Sequence, residues 1–218
     1  MQDYFDVIKN IPLFNNIDHS ELKALLNCLG AEIKTIPKGN IILPAGEKPI
    51  NVGVVLSGIV HISKEDYDGN RVIITAAVPG EVFAESLCCA HIGKSPVTVF
   101  AGEDAAVMLL KFDRILSTCP NSCPFHRKLV ENMLNLLANK NLHLQSRMEI
   151  IAAKSIRTKV LQYLETLGIR QGDSIAIPFN REELADYLCV ERSALSHELS
   201  KMKRDGLIDY KKNIFVLK

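Results

Sequence analysis

The chain has 218 residues, of which 47% are hydrophobic, and its 26 Lys and Arg nearly balance 25 Asp and Glu. This composition is typical of globular domains with a buried core and excludes a disordered chain. No apolar run approaches the ~18 residues of a membrane-spanning helix, and the start lacks the pattern of an export signal, so we expect a cytoplasmic protein with no membrane partner.

The first predicted element is a short amphipathic helix, in which Asp18 and Ser20 precede four regularly spaced leucines and Gly30 ends the helix. From Ala31 to Lys111 the pattern changes to short β-rich runs separated by glycine turns. The predicted strands are Asn40–Leu43, Val52–Leu56, Ile59–Ser63, Arg71–Ala77, Val97–Ala101 and Ala105–Leu110. Short strands at such regular spacing predict an antiparallel β-barrel or sandwich.

A long helix is predicted after Pro124, where glycines disappear. Apolar residues then recur at alternating spacings of four and three, with one polar residue among them. These positions are Val130, Leu134, Leu137, Asn141, Leu144, Met148 and Ile151. The spacing is typical of a coiled-coil seam and predicts a homodimer, with Asn141 fixing the register. The alternative is a helix that packs on its own domain, because so short a seam can arise by chance.

The remaining segment predicts a helix-turn-helix with a wing. A helix over Ile156–Leu167 and a strand over Ile175–Pro178 precede two short helices, which are joined by about three residues. The first of the two begins with a capping pair, Asn180 and Glu183, and the second runs from Arg192 to Arg204. A hairpin follows, from Leu207 to Tyr210 and from Ile214 to Leu217. From Ile150 onward 12 Lys and Arg face 9 Asp and Glu, a weak basic excess that favours a nucleic-acid partner.

Several motifs in this order carry a family resemblance. They are Ile11-Pro12-Leu13-Phe14, Pro37-Lys38-Gly39, Leu56-Ser57-Gly58, the run from Pro79 to Glu85, and the segment from Asn180 to Gly206. From Ile11 to Lys218 the chain resembles the Crp/Fnr superfamily of transcription regulators. The resemblance implies an α+β fold with a jelly-roll barrel similar to cyclic-nucleotide-binding domains over residues 1–123, a dimerisation helix over 124–153 and a winged helix-turn-helix over 154–218.

The resemblance also implies a small-molecule effector at the junction of barrel and long helix. The matching positions are Gly80, Glu81, Glu85, Lys94, Ser95, Leu144 and Gln145. Family members that bind cyclic nucleotides close this site with an arginine, and Ser95 stands at its place here. Serine cannot fork onto a phosphate through paired charged hydrogen bonds, although Lys94 offers a point charge. We therefore expect an effector other than cAMP.

In the DNA reader, the positions that face bases in the family are Arg192, Ser193, Ser196 and His197. Lys211 and Lys212, at the tip of the wing, are expected to contact phosphates. Cys189 stands in the turn where the family often has glycine, which implies a small cost for a left-handed backbone.

Two cysteine groups offer other chemistry: Cys88 and Cys89 near His91, and Cys119 and Cys123 near His126. Such side chains can bind a metal, a haem or an iron–sulfur cluster, or can sense redox state through their thiols. We favour the interpretation as buried thiols with no metal site, because the CxxC spacing and the N-terminal cysteine cluster of iron–sulfur members are missing.

No motif for catalysis is recognisable, so an enzyme is not expected. The main hypothesis is a homodimeric regulator that binds an inverted-repeat operator in double-stranded DNA, with RNA polymerase as a candidate partner. Two alternatives stay open: a cAMP-dependent regulator, and a ligand-sensing module that acts on a protein partner.

Overall fold

A computed structural model describes residues 4–65, 71–117 and 124–218. The chain forms two compact units, the first ending at Ala138 and the second beginning at Asn139. The helices are α1 Phe5–Ile8, α2 His19–Cys28, α3 Glu85–Cys89, α4 Phe112–Leu116, α5 Pro124–Ala152, α6 Ile156–Thr166, α7 Arg181–Tyr187 and α8 Arg192–Arg204, with a 3₁₀ turn at Pro12–Phe14. The strands are β1 Glu32–Ile36, β2 Ile41–Leu43, β3 Asn51–Ser57, β4 Val60–Glu65, β5 Arg71–Ala77, β6 Val82–Phe83, β7 Thr98–Ala101, β8 Ala105–Lys111, β9 Ser174–Ala176, β10 Ile208–Lys211 and β11 Ile214–Leu217. Among the helices described, none is long and apolar enough to cross a membrane.

The first unit contains two four-stranded antiparallel sheets, ordered β1-β8-β3-β6 and β2-β7-β4-β5. This arrangement confirms the jelly-roll prediction, but in the described residues the strands form two separate sheets and not one closed barrel. The predicted strands between Asn40 and Leu110 are all present with small shifts at their ends.

The central strands β3 and β8 are covered on both faces. Val52, Val54 and Leu56 pack with α2 and the start of α5, whereas Val55 and Val107 belong to a second apolar cluster that includes residues of the other sheet. This explains why β3 is an almost continuous apolar run instead of an alternating one. A side chain at Gly53 would lie 2.0 Å from the ring of Phe83, so only glycine allows β6 to pair there.

The second unit packs helices α6, α7 and α8 against a small antiparallel sheet ordered β10-β11-β9. Its core contains Leu184 and Leu188 from α7 and its end, Leu195, Leu199 and Met202 from α8, and Ile150 from α5. The winged helix-turn-helix fold predicted from the sequence is therefore confirmed. The finer division into residues 1–123, 124–153 and 154–218 stays a prediction.

The long helix α5 uses several faces. In the first unit it buries Leu129, Met133 and Leu136, and the buried side chain of Asn132 donates to the carbonyl oxygens of Leu13 (3.1 Å) and Asn15 (2.8 Å). The predicted seam positions lie largely outside these contacts. Val130, Leu137 and Ile151 are half-buried, and the remaining four are exposed: Leu134, Asn141, Leu144 and Met148.

Candidate nucleic-acid interface

The first helix of the reader, α7, begins with the capping box predicted from the sequence. Asn180 Oδ1 accepts from the N–H groups of Glu182 (2.9 Å) and Glu183 (3.0 Å), and the Glu183 carboxylate accepts from Asn180 N–H at 2.7 Å. After α7 the chain turns through Cys189, whose φ of +51° is the left-handed conformation expected from the glycine of the family. The exposed cysteine carries a cost there that glycine does not.

The second helix, α8, presents a polar face to solvent. Arg192, Ser193 and His197 are exposed and Ser196 is half-buried, while Leu195 and Leu199 hold the opposite face in the core. The four predicted base readers therefore lie on one helix and along one side of it. Lys201, Lys203 and Arg204 follow in its last turn, where the helix dipole favours positive charge.

The start of α8 is capped by a residue that the sequence analysis did not single out. Glu191 is the N-cap, and its Oε2 accepts from Ala194 N–H at 2.8 Å and from the hydroxyl of Ser193. These hydrogen bonds lower the pKa of the Glu191 carboxyl, with the Ser193 hydroxyl as the largest cause. The carboxylate therefore stays ionised beside Arg192 at neutral pH.

A salt-bridge network holds α8 against α6. Arg157 Nε lies 2.8 Å from Glu198 Oε1 and Arg157 Nη2 lies 2.6 Å from Asp205 Oδ2, so one guanidinium joins the middle and the end of the recognition helix. Lys159 adds a hydrogen bond of 3.0 Å to the carbonyl of Leu188 in the turn. A groove between α6 and the exposed side of α8 includes Ser155 and His197 in its walls.

The wing is joined to α7 through Arg181. Its guanidinium carbon lies 5.0 Å from the ring centre of Tyr210 and 5.6 Å from that of Phe215, and Nη2 donates to the carbonyl of Lys212 at 3.3 Å. Lys211 and Lys212 are both exposed, as the prediction of phosphate contacts requires. Arg181 thereby fixes the carbonyl at the tip of the wing.

Aromatic rings connect α7 with the rest of the second unit. Tyr187 lies 5.1 Å from Tyr163 and 5.0 Å from Phe179, measured between ring centres, and the Arg147 guanidinium of α5 lies 4.9 Å above the Tyr187 ring. Burial is the main cause that raises the pKa of Tyr163 to about 12, so this phenol stays neutral. α5 thus contacts the DNA-reading motif directly within the second unit.

The predicted effector region contains a tight turn at Gly80, where φ is +90°. Gly80 N–H donates to Val55 O (2.9 Å), and the Glu81 carboxylate accepts from Val78 N–H (3.0 Å). Glu85 is buried at the start of α3. The turn that the family resemblance predicted is present, but the Gly80 N–H and one oxygen of Glu81 are already used within the protein.

Ser95, which replaces the arginine, is 3% exposed and points into the protein. Its hydroxyl donates to Val97 O at 2.7 Å and accepts from Val97 N–H at 3.3 Å, and its N–H donates to Glu47 O. Lys94 is exposed. Leu144 and Gln145 are exposed residues of α5 in the second unit, and their role stays a prediction.

Cys88 and Cys89 of the first unit occupy surroundings that disfavour the reactive thiolate. Burial raises the pKa of Cys88 to about 12, and its thiol donates weakly to Asn51 O at 3.4 Å. The pKa of Cys89 is also raised by burial. Cys119 and Cys123 lie outside the described residues, and within the described ranges no three His, Cys, Asp or Glu side chains group as a metal site would require.

Sequence reasoning missed Arg157, Arg181 and Glu191. The Glu191 cap had a signal, since an acidic residue directly before a predicted helix is a candidate N-cap. Arg181 and Arg157 gave no such signal, because their hydrogen-bond partners Lys212 and Asp205 lie 31 and 48 residues further along the chain.

Two family models match this chain. The Crp-like helix-turn-helix domain matches residues 158–218, and the cyclic nucleotide-binding domain matches residues 33–121. Together they include α8, the wing, both sheets of the first unit and the turn at Gly80.

Proteins named as regulators are among the relatives of this chain, both by sequence and by structure. The nitrogen fixation regulation protein FixK of Bradyrhizobium diazoefficiens is 27% identical over 71% of this chain, which spans 64% of FixK, just under two thirds of its length. The CRP-like cAMP-activated global transcriptional regulator of Mycobacterium tuberculosis is 20% identical, with 93% of this chain and 90% of that protein covered. The solved structure of the c-di-GMP responsive global regulator CLP of Xanthomonas campestris matches the fold with a TM-score of 0.59 at 17% identity, covering 92% of this chain and 99% of that one.

Proposed function

The chain belongs to the Crp/Fnr superfamily of DNA-binding transcription regulators, and we propose that it binds an inverted-repeat operator as a homodimer under the control of a small-molecule effector. The observation that carries this proposal is the exposed polar face of α8, with Arg192 and His197 near its start. The site of action is then the cytoplasm, where bacterial DNA lies.

Base reading is assigned to α8 because its exposed donors suit the major groove. Arg192 and His197 can donate to the acceptors on guanine edges, and Ser196 can contact several bases. Salt bridges to Arg157 and burial of its apolar face in the core fix the position of α8, so its exposed side chains project from a rigid backbone. Rigid support of this kind favours recognition of a defined sequence.

Phosphate binding is assigned to the wing. Lys211 and Lys212 are exposed at a tip that Arg181 and Asn213 tie to the remainder of the unit, the latter through a 3.0 Å hydrogen bond to Ile177 O. Contacts to phosphates carry no base preference and weaken with salt, since they release counterions from the DNA.

Binding measurements on four alanine variants test whether α8 reads bases and the wing binds phosphates. An operator is first selected from random duplexes, and the affinity of each variant is then measured for that operator and for a random duplex. Arg192→Ala and His197→Ala should cost ~1–3 kcal/mol per half-site on the operator and leave random binding nearly unchanged. Lys211→Ala and Lys212→Ala should weaken both duplexes and lower the slope of log affinity against log salt by roughly 1 per contact. Lys23→Ala, an exposed lysine of α2, controls for the loss of one charge.

Two results would contradict the proposal. Equal losses on both duplexes for Arg192→Ala and Lys211→Ala would refute the separate roles of helix and wing. If no variant changed binding, or if no duplex bound, the ligand-sensing module that acts on a protein partner would become the better description. RNA polymerase stays a proposed partner, to be tested by binding of the polymerase to the operator complex.

Homodimerisation is supported by the exposed apolar positions of the predicted seam of α5, Leu134, Leu144 and Met148. Two such recognition helices related by a two-fold axis would enter successive major grooves ~34–36 Å apart, which is why the operator should be an inverted repeat. Effector control is supported by the cyclic nucleotide-binding domain, and control requires that the ligand favour one state of the dimer over another.

The effector itself is proposed to be a ligand other than cAMP. Relatives named for cAMP and for c-di-GMP fall within the same comparisons, so membership of the family does not fix the ligand. The hydroxyl of Ser95 already donates to the carbonyl oxygen of Val97, which argues against a phosphate-binding role for Ser95. Native mass spectrometry with an absorbance spectrum of freshly purified protein would reveal a retained ligand, metal or haem, and would give the mass of the oligomer.

A further inference from the structure

Glu191 suits the N-terminus of a helix, where negative charge is favourable, but a negative charge is unusual on a surface that faces DNA. It is exposed, it precedes Arg192 directly, and it begins the helix that the proposed function places against DNA. A carboxylate at the leading end of such a helix meets a surface of phosphates and base acceptors, all of which repel it. It is tolerated without loss of affinity only where a donor faces it.

The contacts of Glu191 determine what its neighbour can do. The hydroxyl of Ser193 donates to Oε2, and the N–H of Ala194 donates to the same oxygen at 2.8 Å. The proton of Ser193 is therefore committed within the helix, and Ser193 has no hydroxyl donor to offer to a base while this contact lasts. The charge of Glu191 therefore lies at the end of α8 where Ser193 was expected to contact a base.

The carboxylate keeps capacity for another donor. A carboxylate has about four acceptor positions, and the hydrogen bonds from Ser193 and Ala194 both go to Oε2, so they do not fill them. In the major groove the donors are N4 of cytosine and N6 of adenine. The adenine donor lies beside the N7 acceptor, which repels a carboxylate, whereas cytosine presents N4 alone, so cytosine is the base that a carboxylate accepts from.

We propose that Glu191 reads DNA by accepting from the N4 amino group of cytosine at one position of each half-site, with Ser193 as the residue that positions its carboxylate. This assignment rests on the proposed function, since it requires that α8 enter the major groove. It transfers the reading role at this end of the helix from Ser193 to the residue that caps it.

The decisive variant is Glu191→Ser. Serine is a strong N-cap, so the start of α8 is preserved while the carboxylate is removed. Operators are selected for the wild type and for the variant, and affinity is then measured with each of the four bases at every position of the half-site. We expect the preference for cytosine to fall about tenfold at one position, with the other positions unchanged.

Two further variants sharpen the test. Ser193→Ala keeps the charge of Glu191 but removes the hydrogen bond that positions its carboxylate. It should therefore reduce the preference for cytosine at the same position by a smaller factor. Glu182→Ser removes an exposed carboxylate from α7 in the same unit and should leave every base preference unchanged. Circular dichroism checks that each variant is folded, and Glu191→Gln replaces Glu191→Ser if the latter unfolds.

The outcomes separate this assignment from the function on which it rests. If the wild type selects a sequence and Glu191→Ser selects the same one with the same preferences, the assignment is wrong and the function stands. A uniform loss at all positions would show that Glu191 only caps the helix, and would also overturn it. If the wild type selects no sequence, the proposed function fails and this assignment fails with it.

Discussion

The dimer seam can be tested with two leucines of the same helix. Leu144 lies on the predicted seam of α5 and Leu142 lies two residues away on another face, and they are 59% and 61% exposed. Both are leucines of α5 with nearly equal exposure, and they differ in the face of the helix on which they lie. Leu137 is a poorer target, because it is half-buried against the core of its own unit and its replacement would also destabilise that unit.

The expected cost follows from the exposed fraction. Complete burial of a leucine side chain contributes ~1.5–3 kcal/mol, so the exposed part of Leu144 would contribute about 1–2 kcal/mol in each protomer. Leu144→Asp removes this twice, for a loss of about 2–4 kcal/mol, and also places two carboxylates in an apolar interface. The dissociation constant of the dimer should therefore rise roughly 30-fold to 1000-fold or more.

Sedimentation equilibrium across nanomolar to micromolar concentrations measures this change directly. Leu144→Asp should shift the protein towards monomers, and Leu142→Asp should sediment like the wild type. Met148→Asp, at another exposed seam position, should repeat the effect of Leu144→Asp. Equal dissociation by Leu142→Asp and Leu144→Asp would refute the seam, and so would a Leu144→Asp protein that remains as dimeric as the wild type.

Three other predictions concern the effector region, the cysteines and the wing. Calorimetry should detect no micromolar binding of cAMP, because the Ser95 hydroxyl is already bound to Val97; a micromolar constant would contradict this and would point to Lys94 as the phosphate ligand. At pH 8 the raised pKa of Cys88 keeps its thiol almost entirely un-ionised. Alkylation followed by peptide mass spectrometry should therefore modify the exposed Cys189 long before Cys88, and equal rates would show that Cys88 is not buried in solution. Arg181→Ala should release the wing tip and lower the salt slope of binding by roughly 1, while Arg181→Lys, which keeps charge but not the planar contact, should recover it only partly; a slope unchanged by Arg181→Ala would refute a positioning role.

The parts of the fold that the sequence predicted are those with strong local signals. Asn180 and Glu183 were recognised as a capping pair because both partners lie within one helical turn, and the structure has both hydrogen bonds. The strand at Glu32–Ile36 was missed, since Glu32, Lys34 and Thr35 face solvent and its apolar residues never form a run. The strand at Val82–Phe83 is only two residues long and depends on Gly53 for its place.

The long helix shows a different limit. Its heptad spacing could be recognised in the sequence. Leu129, Met133 and Leu136, however, form a second apolar set that the sequence alone did not distinguish from the seam. Periodicity identifies which residues share a face, whereas only the packed structure shows which face is already occupied. The positions left exposed by that packing, Leu134, Leu144 and Met148, are the ones on which the dimer proposal now depends.

The reading face of α8 shows why base contacts cannot be assigned by position alone. Position placed Ser193 among the readers, and the structure agrees that it is exposed, yet its hydroxyl proton is held by Glu191. A side chain that lies on the right face is not a donor if a neighbour two residues away already takes its hydrogen. The same contact lowers the pKa of Glu191 and keeps it charged, so the pair presents an acceptor where a serine alone would present either role. Base preference at this end of the helix therefore depends on a hydrogen bond within the protein, and replacing either partner should alter the preference that the other one sets.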